Sequence, residues 1–473
     1  AGYLLHAVVA PRRALEATKS KLRAAGVRLA VEDCVGPRVP EHQAAARRFV
    51  AAAQSLSSRA QVLANSAPRA MEMVAPGKAR VGWRRAELPE PPAGPAQYEA
   101  MLLQRYGLRV PAGTTNTPPP PRPTWEDLAV ELQACASALQ EIGEVTKVAG
   151  FDWSLDYSQG FEMLLPHLGP AKSAVQRLQA ATLLALHQGR RDDAIEFLET
   201  QLRIVRGFPR NGMLIDELVR IAIGAIAWNT TWEALQDGDW TDAQLRRLQQ
   251  AWQDTEFVDC MIRGLEMERA LALGEYARCR EDPGRLSNML SAFGGLGATA
   301  PTPPAGSNLS DILRRVVEFF RRSGGGMHAQ FWAWFRSWED ERCYLEATHT
   351  MIESARARSA LGHPPRTLPL ALSAGETFLP KDPWMDSAKI RRHLLAATIL
   401  PSLGSAMSKA YRVQMQREMA LTAIALKRHQ LRNETLPEEL AEVVPAYLSE
   451  VPLDWMDGMP LALLLAAGWA GML

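Results

Sequence analysis

From Thr124 to about residue 282 the sequence repeats one pattern: a helical run, a short joint, then another helical run. Strand-like alternation is scarce throughout the 473 residues. That succession limits the fold more than any other feature, because helices joined by short loops must bury their apolar stripes on one another. The expected fold is all-α, a multi-helix array of helical hairpins with a small irregular carboxyl-terminal segment. Local punctuation agrees. Thr124 opens one helix with Asp127 three residues on, and Thr241 opens another with Gln244 as its reciprocal partner. The helix after Thr241 is expected to run on to about Cys279. Other helices are expected at 14–25, ended by Gly26, and at 41–65, 96–106, 309–322, 327–358, 385–399 and 404–432.

Proline and glycine divide the chain. Residues 66–123 read as a linker region with one short helix, and its "TTNTPPPPRP" favours a stiff polyproline II spacer. Residues 294–307, "GGLGATAPTPPAGS", read as a second linker. The remaining segments are amino-terminal helices over 1–65, a helical-hairpin domain over 124–293, a second helical domain over 308–435, and a carboxyl segment over 436–473. A hydrophobic content of 47% is enough for a packed core. Lys plus Arg (53) nearly balances Asp plus Glu (52), so the charge gives no reason to expect nucleic acid as partner. The five cysteines are far apart with no C-x-x-C pair, which argues against a disulfide framework and against zinc.

Residues 1–13 are apolar up to Arg12–Arg13, too few to cross a bilayer, which needs about 20. They read either as the stump of a membrane anchor with a basic flank or as the apolar start of a packed helix, with a lean to the anchor. The anchor reading implies membrane contact through these residues.

The densest polar pattern lies within 327–358. Glu339, Arg342, Glu346, His349 and Glu353 recur at steps of three and four, along one helix face. Glu346-x-x-His349 is the ligand spacing of di-iron helical bundles, which need a second such motif and further carboxylates. No second Glu-x-x-His occurs, so a solvated stripe of ion pairs is the expectation. The same region carries Trp332, Trp334, Phe335 and Trp338, expected as core, with a partner-binding wall of the three tryptophans as the alternative. Asp152, Asp156, Tyr157 and His167 are the best loop candidates for a cleft, against a connection whose polar groups satisfy its own backbone. Phosphate loops, nucleophile elbows and His-Glu-x-x-His motifs are missing, and no cofactor is expected.

Two stretches resemble known families. "HQGRRDDAIEFLETQLRI", residues 187–204, resembles the turn and second helix of a tetratricopeptide repeat, with Gly189 at the turn and Ala194, Ile195, Phe197 and Leu198 facing a neighbouring helix. Near the carboxyl end, Leu436-Pro437, Leu440, Val443-Val444, Tyr447-Leu448, Val451-Pro452, Asp454, Trp455 and Gly458 follow a long helical pattern ending near Asn433. Pro437 is read as opening a short helix, with Leu440, Val443 and Val444 turned inward. This order resembles the tail of type II secretion pseudopilins and of bacterial envelope proteins with a large helical body. The Asp-Pro step of that pattern is absent here, and the chain continues as an uncharged "LALLLAAGWAGML". The resemblance implies a bacterial envelope setting, on the periplasmic side of a membrane, with the cytoplasm as alternative. It also suggests calcium near Asp454 and Asp457, but two carboxylates fall short of the six to eight oxygens calcium takes, and turn formation is the expectation. The functional expectation is a non-enzymatic scaffold that binds a protein partner, with subunit duty in a larger membrane assembly as a further option. The alternative is an enzyme with a pocket between helical layers around Asp152–His167 and the Trp332–Trp338 helix.

Overall fold

A computed structural model describes residues 2–56, 71–75, 78–81, 125–289 apart from 149, 210, 211, 238 and 287, then 325–360, and 393–463 apart from 455–458. The described chain is an all-α array, with one short antiparallel hairpin, β1 (Met71–Ala75) and β2 (Lys78–Val81), inside the stretch read as linker. The expected helices at 96–106 and 309–322 lie outside the described residues.

Helix α1 (Gly2–Ala24) passes through Pro11 and ends before Gly26, whose φ of 78° is a conformation glycine takes without strain. From Leu15 onward it packs on the body, Leu15 and Leu22 joining Leu273 and Leu345 in a satellite core. A short α2 (Val31–Cys34) and α3 (Pro40–Leu56) follow. The next run is broken in two at Cys135, giving α4 (Trp125–Ala134) and α5 (Ala136–Val145). After an irregular loop with a 3₁₀ turn (Tyr157–Glu162), α6 (Leu168–His187) and α7 (Arg191–Gly207) form an antiparallel hairpin around Gly189, at φ 72°. Ala194, Ile195 and Leu198 are buried in it, and Phe197 packs at its edge.

Helix α8 (Leu214–Gln236) lies against both arms of that hairpin. The three helices share a buried polar contact: Gln201 donates to Thr182 at 3.2 Å and accepts from Thr230 at 3.3 Å. The cap at Thr241 forms as the sequence indicates, with Gln244 N–H donating to Thr241 Oγ1 and Thr241 N–H to Gln244 Oε1. The helix after it is not one unit. It stops as α9 (Asp242–Gln253) and restarts as α10 (Val258–Glu281). The break holds because Trp252 turns its indole N–H to Thr231, Thr255 folds its hydroxyl back to the Trp252 carbonyl, and Phe257 is buried. Gly224 of α8 makes room for Phe257: a Cβ there would stand 2.6 Å from that ring.

The run expected over 327–358 is likewise two helices, α11 (Gly325–Phe335) and α12 (Ser337–Ala360), meeting at Arg336. The opposite correction applies near the end. Two expected helices are one, α13 (Leu394–Asn433), which passes through Pro401. An interior proline costs about 3 kcal/mol, and buried Ile399, Leu400, Leu403 and Met407 on either side of it outweigh that loss.

At 40 residues α13 is about 60 Å long. It crosses α8, α9, α10 and α12 and closes one continuous core that runs from Ala45 to Leu448. Its start is secured by Asp340 of α12, which is fully buried and accepts from Leu395 N–H (2.9 Å), Ala396 N–H (3.0 Å), Trp332 Nε1 (2.8 Å) and the Tyr276 hydroxyl (2.9 Å). Its end is Asn433, but Glu434, at φ 61°, takes the left-handed position. The segment that follows packs on α13 through a 3₁₀ turn (Leu440–Val443) with Leu440, Val443 and Leu448 buried and Val444 half-buried.

Candidate functional site

The sequence-derived candidates separate in space. Glu346 is exposed and pairs with Arg342 at 3.0 Å, while His349 is half-buried one turn on. No group of three His, Cys, Asp or Glu side chains able to hold a metal occurs among the described residues. The aromatic cluster splits, because residues two apart on a helix point to nearly opposite sides. Trp332 is core and donates to Asp340. Trp334 is 55% exposed, which corrects its reading as core, and Phe331 beside it is 53% exposed. Trp338 is half-buried, with Arg280 4.0 Å and Arg12 5.2 Å from its ring centre. Asp454 N–H donates to the Met459 carbonyl at 2.8 Å across the Leu453–Pro460 bridge, while Asp457 lies outside the described residues.

The loop before α6 behaves in two ways. Asp152 accepts from Ser154 N–H and from Gln43, and Asp156 caps Ser158 and Gln159, bonds that hold its carboxyl below the usual carboxylate range. Asp156 satisfies its own loop, as an irregular connection would, and Asp152 divides its bonds between the loop and Gln43 of α3. Tyr157 is more enclosed: burial, with Asp216 and Asp152 nearby, pushes its hydroxyl up to about 12. His167 does something the sequence reading did not anticipate. Its Nε2 lies 2.7 Å from Asp216 Oδ1, while Asp216 Oδ2 accepts from Met213 N–H and so caps α8. The imidazole stacks on Trp153, ring centres 4.4 Å apart. A carboxylate orienting an imidazole is half of a general-base arrangement. Here the pair is about 1% exposed and Trp153 covers the ring face, so nothing can reach it as a substrate would. It fastens the loop to α8.

One turn further along α8 the chemistry opens to solvent. Glu217 and Arg220 are buried and stand 3.3 Å apart. Burial, helped by the neighbouring Asp216 charge and opposed by Arg220, pushes the Glu217 carboxyl up to about 7. Arg220 donates to the Phe208 and Pro209 carbonyls and hydrogen-bonds Cys260. It forms the floor of a cleft of about 490 Å³ where α5, α7 and α9 end and α10 begins. Lys147, Arg203, Arg206 and Arg220 supply cations to its lining, and Asp254 and Glu256 supply carboxylates.

Each of the four cations is tethered: Lys147 to Glu144 (2.8 Å), Arg203 to Glu196 (2.6 Å), Arg206 to Asp254 (2.7 Å), and Arg220 to Glu217. A basic last turn is favourable at a helix carboxyl end, which suits Arg206 in "QLRIVRG"; with Arg203 one turn earlier, that i,i+3 pair was the one sequence signal for the cleft. The lining comes from separate stretches between 146 and 260, so no single motif spells it. None of the loop residues Asp152, Asp156, Tyr157 and His167, and none of the tryptophans of α11 and α12, lines it. Comparison with protein-family models, with curated proteins and with solved structures finds no match to this chain.

Proposed function

We propose that the chain is a non-enzymatic helical scaffold that seats a polar segment of a protein partner in the 490 Å³ cleft at the ends of α5, α7 and α9. The observation that carries this reading is the state of the lining. Four cations and two carboxylates present both signs of charge, and each cation is already oriented by an acidic side chain. Pre-oriented charge of both signs suits recognition of a charged, hydrogen-bonding segment and costs little ordering entropy on binding. The one paired imidazole of the region is buried behind Trp153, which counts against proton transfer in the cleft. The pseudopilin-like order of residues 436–458 supports a bacterial envelope setting, with service in a larger membrane-associated assembly. No helix of the described residues is long and apolar enough to cross a membrane.

A photo-crosslinking side chain placed at Gln253, on the cleft, and at Leu164, 81% exposed and elsewhere, tests the reading in the source cells. A discrete adduct is expected from Gln253 and not from Leu164, and Arg206→Glu should remove it. The same adducts from both positions, or an adduct indifferent to Arg206→Glu, sink the proposal. His167→Gln separates the enzyme alternative: a folded variant that captures its partner and keeps the cellular function supports binding, whereas loss of the cellular function with capture intact supports catalysis.

A further inference from the structure

A second cleft, of about 360 Å³, shares no lining residue with the first. It lies between the turn after α1, the first three turns of α10, and the end of α12. Arg28, Arg263 and Arg356 line it together with Asp259, Glu266 and Ser359. Glu266 is buried at its base and is held from two sides, by Arg28 and by Arg356. Arg356 also reaches Glu353, and Ser359 donates to Asp259. Arg263 is different: half-buried in the same lining, it makes no direct hydrogen bond or ion pair among the described residues, and acts only at longer range on the buried Glu217 carboxyl. Behind the wall, Arg269 is 1% exposed, donates to the Arg28 carbonyl at 3.0 Å, and keeps Nε and Nη1 without a partner. Four guanidiniums thus meet three carboxylates in a partly desolvated space, and the accessible Arg263 is the one without a direct ion pair.

We propose that this cleft is a binding site for an oxyanion, the carboxylate or phosphate group of a small solute, held by Arg263 with the outer N–H groups of Arg28 and Arg356. Each guanidinium carries five donors in a planar fork, so engaging Glu266 leaves Arg28 and Arg356 with donors to spare. A planar or tetrahedral oxyanion meets one guanidinium with two separate oxygens in two parallel bonds, a geometry that the single atom of a halide does not match. The surplus positive charge at the opening of α10 selects an anion over a cation. Glu266 repels the incoming group and so limits affinity, and it holds the Arg28 and Arg356 guanidiniums together at the base of the cleft.

Binding of inorganic phosphate and of succinate to the full chain, each followed by calorimetry and by thermal unfolding against chloride at matched ionic strength, tests this. Saturable binding of either anion is expected, with phosphate alone, succinate alone or both identifying the group preferred. Arg263→Gln removes no described tether, so that variant should fold normally and bind about tenfold or more weakly, as expected for loss of one charge-assisted pair. Arg206→Gln, in the other cleft, should bind as the parent chain does. Absence of saturable binding by both anions, or equal affinity in Arg263→Gln, overturns the proposal.

Discussion

Asp340 carries more structural duty than any other side chain described. Its carboxylate joins Tyr276 of α10, Trp332 of α11 and the first N–H groups of α13, so it is both a cross-link and a helix cap. Burial pushes its carboxyl up to about 6 while those donors pull it down. Asp340→Ala leaves buried donors unanswered and should lower the unfolding free energy by about 3 kcal/mol or more, since breaking a buried charged network costs roughly 3–5 kcal/mol. Chemical denaturation would measure it, and a loss under 1 kcal/mol would show that water replaces the carboxylate. Nothing in the sequence around Asp340 announced this role, because every partner lies on another helix. Glu346 and His349 were visible for the opposite reason. Their spacing is local, and local spacing here meant a surface ion pair, Glu346 with Arg342.

At the level of the helices, the outcome depended on whether local or tertiary forces set each boundary. The Thr241 cap was readable because its hydrogen bonds close within four residues. Thr241→Ala should cost about 1 kcal/mol, the usual worth of such a cap, seen as a lower urea midpoint with unchanged slope. An unchanged midpoint would mean that packing of Trp240 and Leu245 on either side already holds the start of α9. The α9–α10 break was not readable: residues 254–257 contain neither Gly nor Pro, and it is Thr231, Trp252 and buried Phe257 that impose it. Pro401 misled in the other direction, since burial on both sides of it keeps α13 continuous. The clefts were the least legible features, assembled from helix ends brought together only by the fold.

For the molecule as a whole, buried carboxyls set an unusual response to pH. Glu217 sits near 7 in the fold against an ordinary 4.5. Between those values the folded chain holds a proton that the unfolded chain releases, so stability falls as pH rises through that window. Asp340, at about 6 against an ordinary 3.8, acts in the same direction. The unfolding free energy should therefore be larger at pH 5 than at pH 8, with Glu217 contributing on the order of 3 kcal/mol at about 1.4 kcal/mol per unit. Glu217→Gln should make the profile shallower without levelling it, because Asp340 and Glu268, the latter pushed by burial to about 7, titrate in the same direction; thermal unfolding across pH 5–8 reads both effects. A wild-type profile that rises toward pH 8 would show that these carboxyls are solvated in the native chain.

The position of α13 in the chain has a consequence for synthesis. Among the described helices, the one that seals the core is the last long one made, and about 150 residues separate the end of α10 from the end of α13. At about 5–20 residues per second, the faces of α8, α9 and α10 that α13 covers wait roughly 8–30 s for their lid. Through that interval the nascent chain presents a bare apolar trough on its way out of the ribosome, and Asp340 has no helix to cap. The body therefore matures only once α13 has been made, and an early stop before Leu394 yields a client for chaperones and proteases in place of a shorter functional array.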